Sequence, residues 1–276
     1  MAFGDFNRIG TNLQSMNAQF SLNQTNRDLA DTQLQLATGK QINRAEDDAA
    51  GFSIASKLGS RIAGLEQGLQ NTGDAKSVLD IAESSFDSIT DILTEMKVKA
   101  TQAANDTLGD EEREFIGDQM EALAGELDSI VEQTVFQDQE LIDGTYNATF
   151  QVGERQEDVL NVTIDQSFEA GDLGVDGLDV SDHEAAQDAM EAVDAALTTV
   201  ASTVNQLGIN QAQLSIREEL LSQSIISNEA AQSRIQDADF AQVQSESVQL
   251  QILQQTGISA LAQANQAPEA VLGFLG

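Results

Sequence analysis

Residues 75–103, AKSVLDIAESSFDSITDILTEMKVKATQA, decide the fold. A walk of alternating four- and three-residue steps from Ala75 meets Leu79, Ala82, Phe86, Ile89, Leu93, Met96, Ala100 and Ala103, all apolar, an unbroken stripe over four heptads. Most residues between them are Asp, Glu, Ser, Thr or Lys, so one face is dry and the rest wet. Apolar spacing sustained over that length predicts a long helix packed in a coiled coil.

Outward from this stripe the same lattice recurs. Leu108, Gly109 and Asp110 interrupt it, with the glycine as a stop and Asp110 expected to cap a second helix. A second stripe runs Ile116, Met120, Leu123, Leu127, Ile130, so two antiparallel helices joined by a short turn are expected. A third runs Ala186, Met190, Val193, Leu197, Val200, Val204, Leu207, Leu214, Leu221, Ile225, Ile235, broken by Gln211, Glu218, Asn228 and Gln232. It predicts one helix from about Asp182 to about Ile235, roughly 80 Å long at ~1.5 Å per residue. Between the second and third helices the period drops to two: Tyr146, Ala148, Phe150, Val152, then Leu160, Val162, Ile164. With Gly153 to Asp158 as the loop, this reads as a β hairpin.

The two ends differ. Residues 5–38 carry Ile9, Leu13, Met16, Phe20 and the heptad series Leu22, Leu29, Leu36 among Asn, Gln, Ser and Thr. Residues 241–265 carry Val243, Leu250, Leu253 and Leu261 among Gln and Ala. Neither has the ion pairs that support a lone helix. Burying a Leu or Phe is worth roughly 1.5–3 kcal/mol against a backbone ordering cost of about 1–2 kcal/mol per residue, so such sparse stripes need outside contacts. Packing on another chain is the expected source.

Composition removes several classes of function. The 276 residues include no Cys, no Trp, one His and one Pro; 41% are apolar but only 4% aromatic. Disulfide scaffolds and cysteine nucleophiles are excluded, and an elongated helical shape is favoured over a compact aromatic core. Thirteen cations face 46 carboxylates, a formal charge of −33. Such a chain repels nucleic acid backbones and anionic membranes. The charge is uneven: residues 1–45 hold four cations and three anions, residues 46–209 seven and 36, and residues 210–276 two and seven. The nearly neutral ends are expected in a drier setting than the acidic middle. No run of 18 apolar residues predicts a membrane span, and Met1 Ala2 Phe3 Gly4 Asp5 Phe6 lacks the basic start of a cleaved signal.

Candidate chemistry is sparse. His183, between Asp182 and Glu184, has neither a second His nor an HExxH pattern around it, so a surface residue at a helix start is expected. Gly171 to Asp179 looks like a calcium loop in composition, yet a single copy lacks stacked neighbours and the EF-hand spacing is absent. It reads as a turn-rich connector. Glu46, Asp47 and Asp48 have no nucleophile or partner base nearby; Arg44 is their expected ion partner, and Ala49, Ala50 and Gly51 suggest tight packing. The glycines at 59, 64 and 68 follow no strand and form no nucleotide motif. No cofactor and no catalytic or metal site is expected, and the chain is not read as an enzyme.

Ala37 Thr38 Gly39 Lys40 Gln41 Ile42 Asn43 Arg44 Ala45 Glu46 Asp47 Asp48 Ala49 Ala50 Gly51 Phe52 Ser53 Ile54 Ala55 is similar to the SSGxRINSAxDDAAGxxIA segment of the bacterial flagellin family. Ser233 Arg234 Ile235 Gln236 Asp237 Ala238 Asp239 Phe240, Gln251 Ile252 Leu253 Gln254 Gln255 and Ala260 Leu261 Ala262 Gln263 Ala264 Asn265 Gln266 match its carboxyl end.

The resemblance implies a mainly α fold, an elongated antiparallel coiled coil or helical bundle from paired amino- and carboxyl-terminal segments, with a small β hairpin. It implies an inner domain from residues 1–40 and 240–276 and a helical rod from 41–144 and 175–239. Residues 145–174 supply the hairpin and connector, without the large outer domains of longer relatives. The implied function is a structural subunit that polymerises head to tail into an extracellular flagellar filament. Leu13, Phe20, Leu29, Leu36, Leu250, Leu253 and Leu261 are expected in the inter-subunit core; Arg44, Asp47 and Asp48 are expected to fix the junction of tube and rod. Implied partners are further copies, an export apparatus and chaperone, and cap and junction proteins, with no nucleic acid or membrane. Export without signal cleavage is also implied. The rivals are a flagellar junction protein and a helical secreted effector. Where the family presents Arg, Val, Arg, Glu, Leu, Ala to a vertebrate innate receptor, this chain has Glu95 Met96 Lys97 Val98 Lys99 Ala100, so receptor activation is not predicted.

Overall fold

The computed structural model describes residues 11–275, with side chains through Gln266; Met1 to Phe6 and Ile9 lie outside the described residues. Its elements are α1 (Leu13–Thr38), α2 (Ala49–Ala103), α3 (Asp110–Gln133), β1 (Val135–Phe136), β2 (Gln139–Glu140), β3 (Tyr146–Gln151), β4 (Val159–Ile164), α4 (His183–Gln236) and α5 (Phe240–Leu275). The fold is mainly helical with a small hairpin, as the apolar periods imply. The chain forms two compact units, one from residues up to 60 with those from 227 onward, the other Arg61–Ile226.

In the second unit the three predicted stripes meet. Phe86, Leu93 and Met96 of α2, Met120 and Leu127 of α3, and Val193, Val200 and Leu214 of α4 are all buried in one core. Phe86 meets Phe168 edge to face, with ring centroids 4.7 Å apart, a geometry favoured by aromatic quadrupoles. The polar interruptions in α4 are rungs between helices. Gln211 donates to Glu83 Oε2 at 2.6 Å and Asp80 Oδ1 at 3.0 Å, and Glu218 pairs with Lys76 at 3.1 Å.

Strands β3 and β4 pair antiparallel from Tyr146↔Ile164 to Gln151↔Val159. Their loop lies against α2: a Cβ on Gly68 would stand 3.0 Å from Gly153 Cα. Gly68 therefore permits an approach of the loop backbone that a side chain would crowd. Helix α2 begins at Ala49, well before the stripe that announced it. Glycines at 59, 64 and 68 dilute the lattice there, although Ile62 and Leu65 remain buried.

One local expectation is corrected. Gly109, not Asp110, caps α3: its carbonyl accepts from Arg113 N at 3.1 Å and its amide donates to Glu112 Oε2 at 3.0 Å. Asp110 instead joins Glu111 and Glu112 in the first turn, where carboxylates offset the positive end of the helix dipole. The unpredicted β1–β2 ribbon turns through Gln137 and Asp138, both at positive φ (49° and 63°).

In the first unit the terminal segments find a partner within the chain. Helix α1 runs antiparallel to α5, with Leu29, Thr32, Val243, Ser247 and Leu250 buried. Asn12 Nδ2 donates to Ala264 O at 2.7 Å, Ser15 Oγ to Asn265 Oδ1 at 2.7 Å, and Gln254 Nε2 to Asn26 Oδ1 at 2.7 Å. Gly257 admits Leu22, whose Cδ1 is 3.2 Å from where a Cβ would lie. Another chain is thus not the sole source of contacts for these helices; among the described residues amide and hydroxyl pairs, rather than ion pairs, join α1 to α5.

Candidate assembly surface

Helix α1 carries two apolar faces. Leu22, Leu29 and Leu36, spaced by seven, turn toward the side buried by α5, Leu29 fully and the other two partly. Leu13, Met16 and Phe20 fall on the opposite face and are exposed, Phe20 at 70%. Helix α5 repeats the arrangement: Val243 and Leu250 face α1, whereas Val248 and Ile252 lie one turn apart on the other side, Ile252 at 61% exposure.

The seven residues expected in an inter-subunit core therefore occupy two settings. Leu29 and Leu250 are buried, and Leu36 and Leu261 partly so, whereas Leu13, Phe20 and Leu253 are exposed. Val248 and Ile252 escaped the sequence reading because they do not continue the Val243–Leu250 series; their one-turn spacing was the available signal. Each helix of this polar pair thus turns an apolar strip away from the other, the kind of surface that marks an interaction site.

The loop between α1 and α2 has its own architecture. Gly39, at φ +71°, ends α1 with its amide on Gln35 O at 2.8 Å. The chain then bridges to the turn before α5: Gln41 N donates to Gln236 O at 2.7 Å and Ala238 N to Gly39 O at 2.9 Å. Asp47 Oδ2 accepts from Asn43 N and Arg44 N at 2.9 and 2.8 Å, and these backbone donors, Arg44 first, hold its carboxyl below the usual aspartate range. Asp48 Oδ1 accepts from Ala50 N at 3.0 Å, anchoring the start of α2. Arg44 pairs with Glu46 at 2.8 Å, and that hydrogen bond raises its pKa further. Gly51 packs closely here: a Cβ would lie 2.6 Å from both Ile42 Cδ1 and Asp48 Oδ2, two side-chain ends that would have to move aside to admit it.

Elsewhere, Glu95 is exposed, Met96 is buried in the α2 stripe, Lys97 pairs with Asp194 at 2.5 Å and Lys99 donates to Gln119 Oε1 at 2.7 Å. His183 opens α4 with Nδ1 2.6 Å from Ala104 O. The Gly171 to Asp179 segment forms tight turns through Gly174 and Gly177, both at positive φ. Among the described residues no set of His, Cys, Asp or Glu side chains is arranged to hold a metal, and no helix is long and apolar enough to cross a membrane.

Comparison with known proteins agrees with this architecture. Residues 9–147 match the family described as bacterial flagellin N-terminal helical region, and residues 190–275 match bacterial flagellin C-terminal helical region. Flagellin of Halalkalibacterium halodurans is 33% identical over 97% of this chain and 99% of its own length. Flagellin of Bacillus subtilis is 31% identical over the same shares. A flagellar hook-associated protein structure from Vibrio parahaemolyticus has the same fold, with TM-score 0.59 and 13% identity over 69% of this chain and all of its own. With both terminal helical regions matched and relatives aligned over nearly their full length, the chain belongs to the bacterial flagellin family.

Proposed function

We propose that this chain is the structural subunit of an extracellular flagellar filament, assembled from copies of itself, and that it is not an enzyme. The observation that carries the reading is that each terminal helix turns apolar side chains away from the other, Leu13, Met16 and Phe20 on α1 and Val248 and Ile252 on α5. Contacts through these two outward faces that do not close on themselves generate an open helical polymer. In the assembled state residues 1–40 and 240–276 form the inner tube, and 41–144 with 175–239 form the surrounding rod. The hairpin and connector, 145–174, lie within the rod.

Leu13, Phe20 and Leu253 then meet neighbouring subunits directly, while Leu29, Leu36, Leu250 and Leu261 hold the helix pair that presents them. Arg44, Asp47 and Asp48 set the tube-to-rod junction, supported by the hydrogen bonds that fix their loop. Export through the flagellar apparatus with a chaperone, and contacts with cap and junction proteins, belong to the same reading. The Glu95 to Lys99 segment is assigned no receptor role, because two of its cations are engaged by Asp194 and Gln119. Electron microscopy of the purified chain after concentration in salt tests the proposal. Long uniform fibres are expected; soluble oligomers alone would overturn it.

A further inference from the structure

In a chain with 46 carboxylates, every cation has an excess of partners available, so unpaired arginines gathered in one place call for a reason. Arg61 of α2, Arg155 of the hairpin loop and Arg217 of α4 line one notch of about 180 Å³. Arg61 is bound to Glu154 at 2.6 Å, and the notch's other carboxylate, Asp158, accepts from Arg155 N at 3.2 Å. Arg155 and Arg217 are exposed and have no ion-pair partner among the described residues. Beside them on α4, Ile216 and Leu220 are 59% and 55% exposed. A guanidinium pair next to bare aliphatic side chains suits a partner that is acidic with an apolar centre.

The same unit carries such a surface elsewhere. The start of α3 presents Glu111, Glu114 and Asp118 to solvent around Phe115, itself 59% exposed. The one cation of that helix, Arg113, is turned inward, buried, with Nη2 on Asn105 O at 3.2 Å, so it leaves the face acidic. Helix α2 runs unbroken from Arg61 to Ala103, beside which α3 begins, so notch and acidic face are separated by about 60 Å at 1.5 Å per residue. They cannot meet within one chain.

We propose that the arginine notch docks the acidic start of α3 from a second copy, a heterologous contact that stacks the Arg61–Ile226 units end to end and fixes their order along a row. The inference rests on the filament reading and adds the residues that select one neighbour over another. Phe115 seats against Ile216 and Leu220, and Glu114 and Asp118 face Arg155 and Arg217. Charge complementarity of this kind sets register and rejects wrong pairings.

The test uses two full-length double variants, R155E/R217E and E114K/D118K, with the helical circular dichroism signal confirming that each folds. Each alone is expected to raise the critical concentration for fibre growth at least about tenfold, because both contacts become repulsive. Mixed in equal amounts they are expected to form fibres near the parental concentration, since each reversed notch then meets a reversed α3. The milder R155Q/R217Q variant is expected to move the same way by less. Parental growth by either charge-reversed variant alone, or a mixture no better than its components, overturns the inference while leaving the filament reading intact. Failure of the parent chain to form fibres overturns both.

Discussion

Replacing Phe20 by alanine separates assembly from folding. On a single chain Phe20 is 70% exposed, on the face of α1 turned away from α5. Full burial of a phenylalanine side chain is worth roughly 1.5–3 kcal/mol, so covering the exposed share contributes about 1–2 kcal/mol per subunit. That corresponds to about a 5- to 30-fold rise in critical concentration for Phe20→Ala. The monomer's thermal transition should not move, because the side chain touches little within its own chain. Leu29→Ala is the control: Leu29 is 7% exposed against α5, and its truncation should lower the monomer transition by the equivalent of about 2–3 kcal/mol. Sedimentation of polymer at graded protein concentrations gives the first quantity and far-ultraviolet circular dichroism the second. A shift in critical concentration below about twofold for Phe20→Ala, or a monomer transition lowered as far as by Leu29→Ala, would refute the assignment of this face.

Further outcomes follow from other parts of the structure. Phe86→Ala, which removes a fully buried ring and its contact with Phe168, is expected to cost about 3–5 kcal/mol in chemical denaturation. Gly73→Ala and Gly125→Ala point into open space within helices and should each stabilise by about 0.4–1 kcal/mol. Gly68→Ala should destabilise instead, since the backbone of Gly153 stands in the way. Asp47 has a carboxyl pKa depressed by backbone donors; its contribution is complete above the ordinary value of about 3.9 and is lost as pH falls through the lower folded value. The amide resonances of Asn43 and Arg44 should titrate together in that acid range, and invariant shifts would remove Asp47 from the loop's support. Fibre growth should quicken as salt shortens the screening length from about 10 Å at 0.1 M to about 3 Å at 1 M, because each copy carries −33. Growth that slows with salt would show that repulsion between copies is not the brake.

What could be read in advance was what repeats. Heptads from Ala75 to Ala103 and from Ala186 to Ile235, and the alternation around Gly153 to Asp158, correspond to α2, α4 and the hairpin because burial of a periodic face dominates their energetics. Features resting on backbone groups were hidden. The Gly109 cap depends on Glu112 reaching back to an amide, and the β1–β2 turn places Gln137 and Asp138 in a conformation their identities do not announce. At the surface, spacing of seven picked out Leu22, Leu29 and Leu36, but it could not say that these face α5 while Phe20 faces away. That distinction needs the partner helix, whose seam is held partly by Asn12, Ser15 and Asn26, residues with no apolar signature.

A heptad stripe is degenerate under translation: sliding α4 by seven residues, about 10 Å, would set apolar side chains on apolar side chains again. Lys76 and Glu83 are themselves one heptad apart on α2, as are Gln211 and Glu218 on α4, and they pair crosswise. A slip in one direction brings Glu218 against Glu83, two like charges; a slip in the other leaves Lys76 opposite neutral Gln211 and presses Glu218 toward Leu69. Four polar side chains thereby act as a vernier that lets two long, repetitive helices find a single alignment.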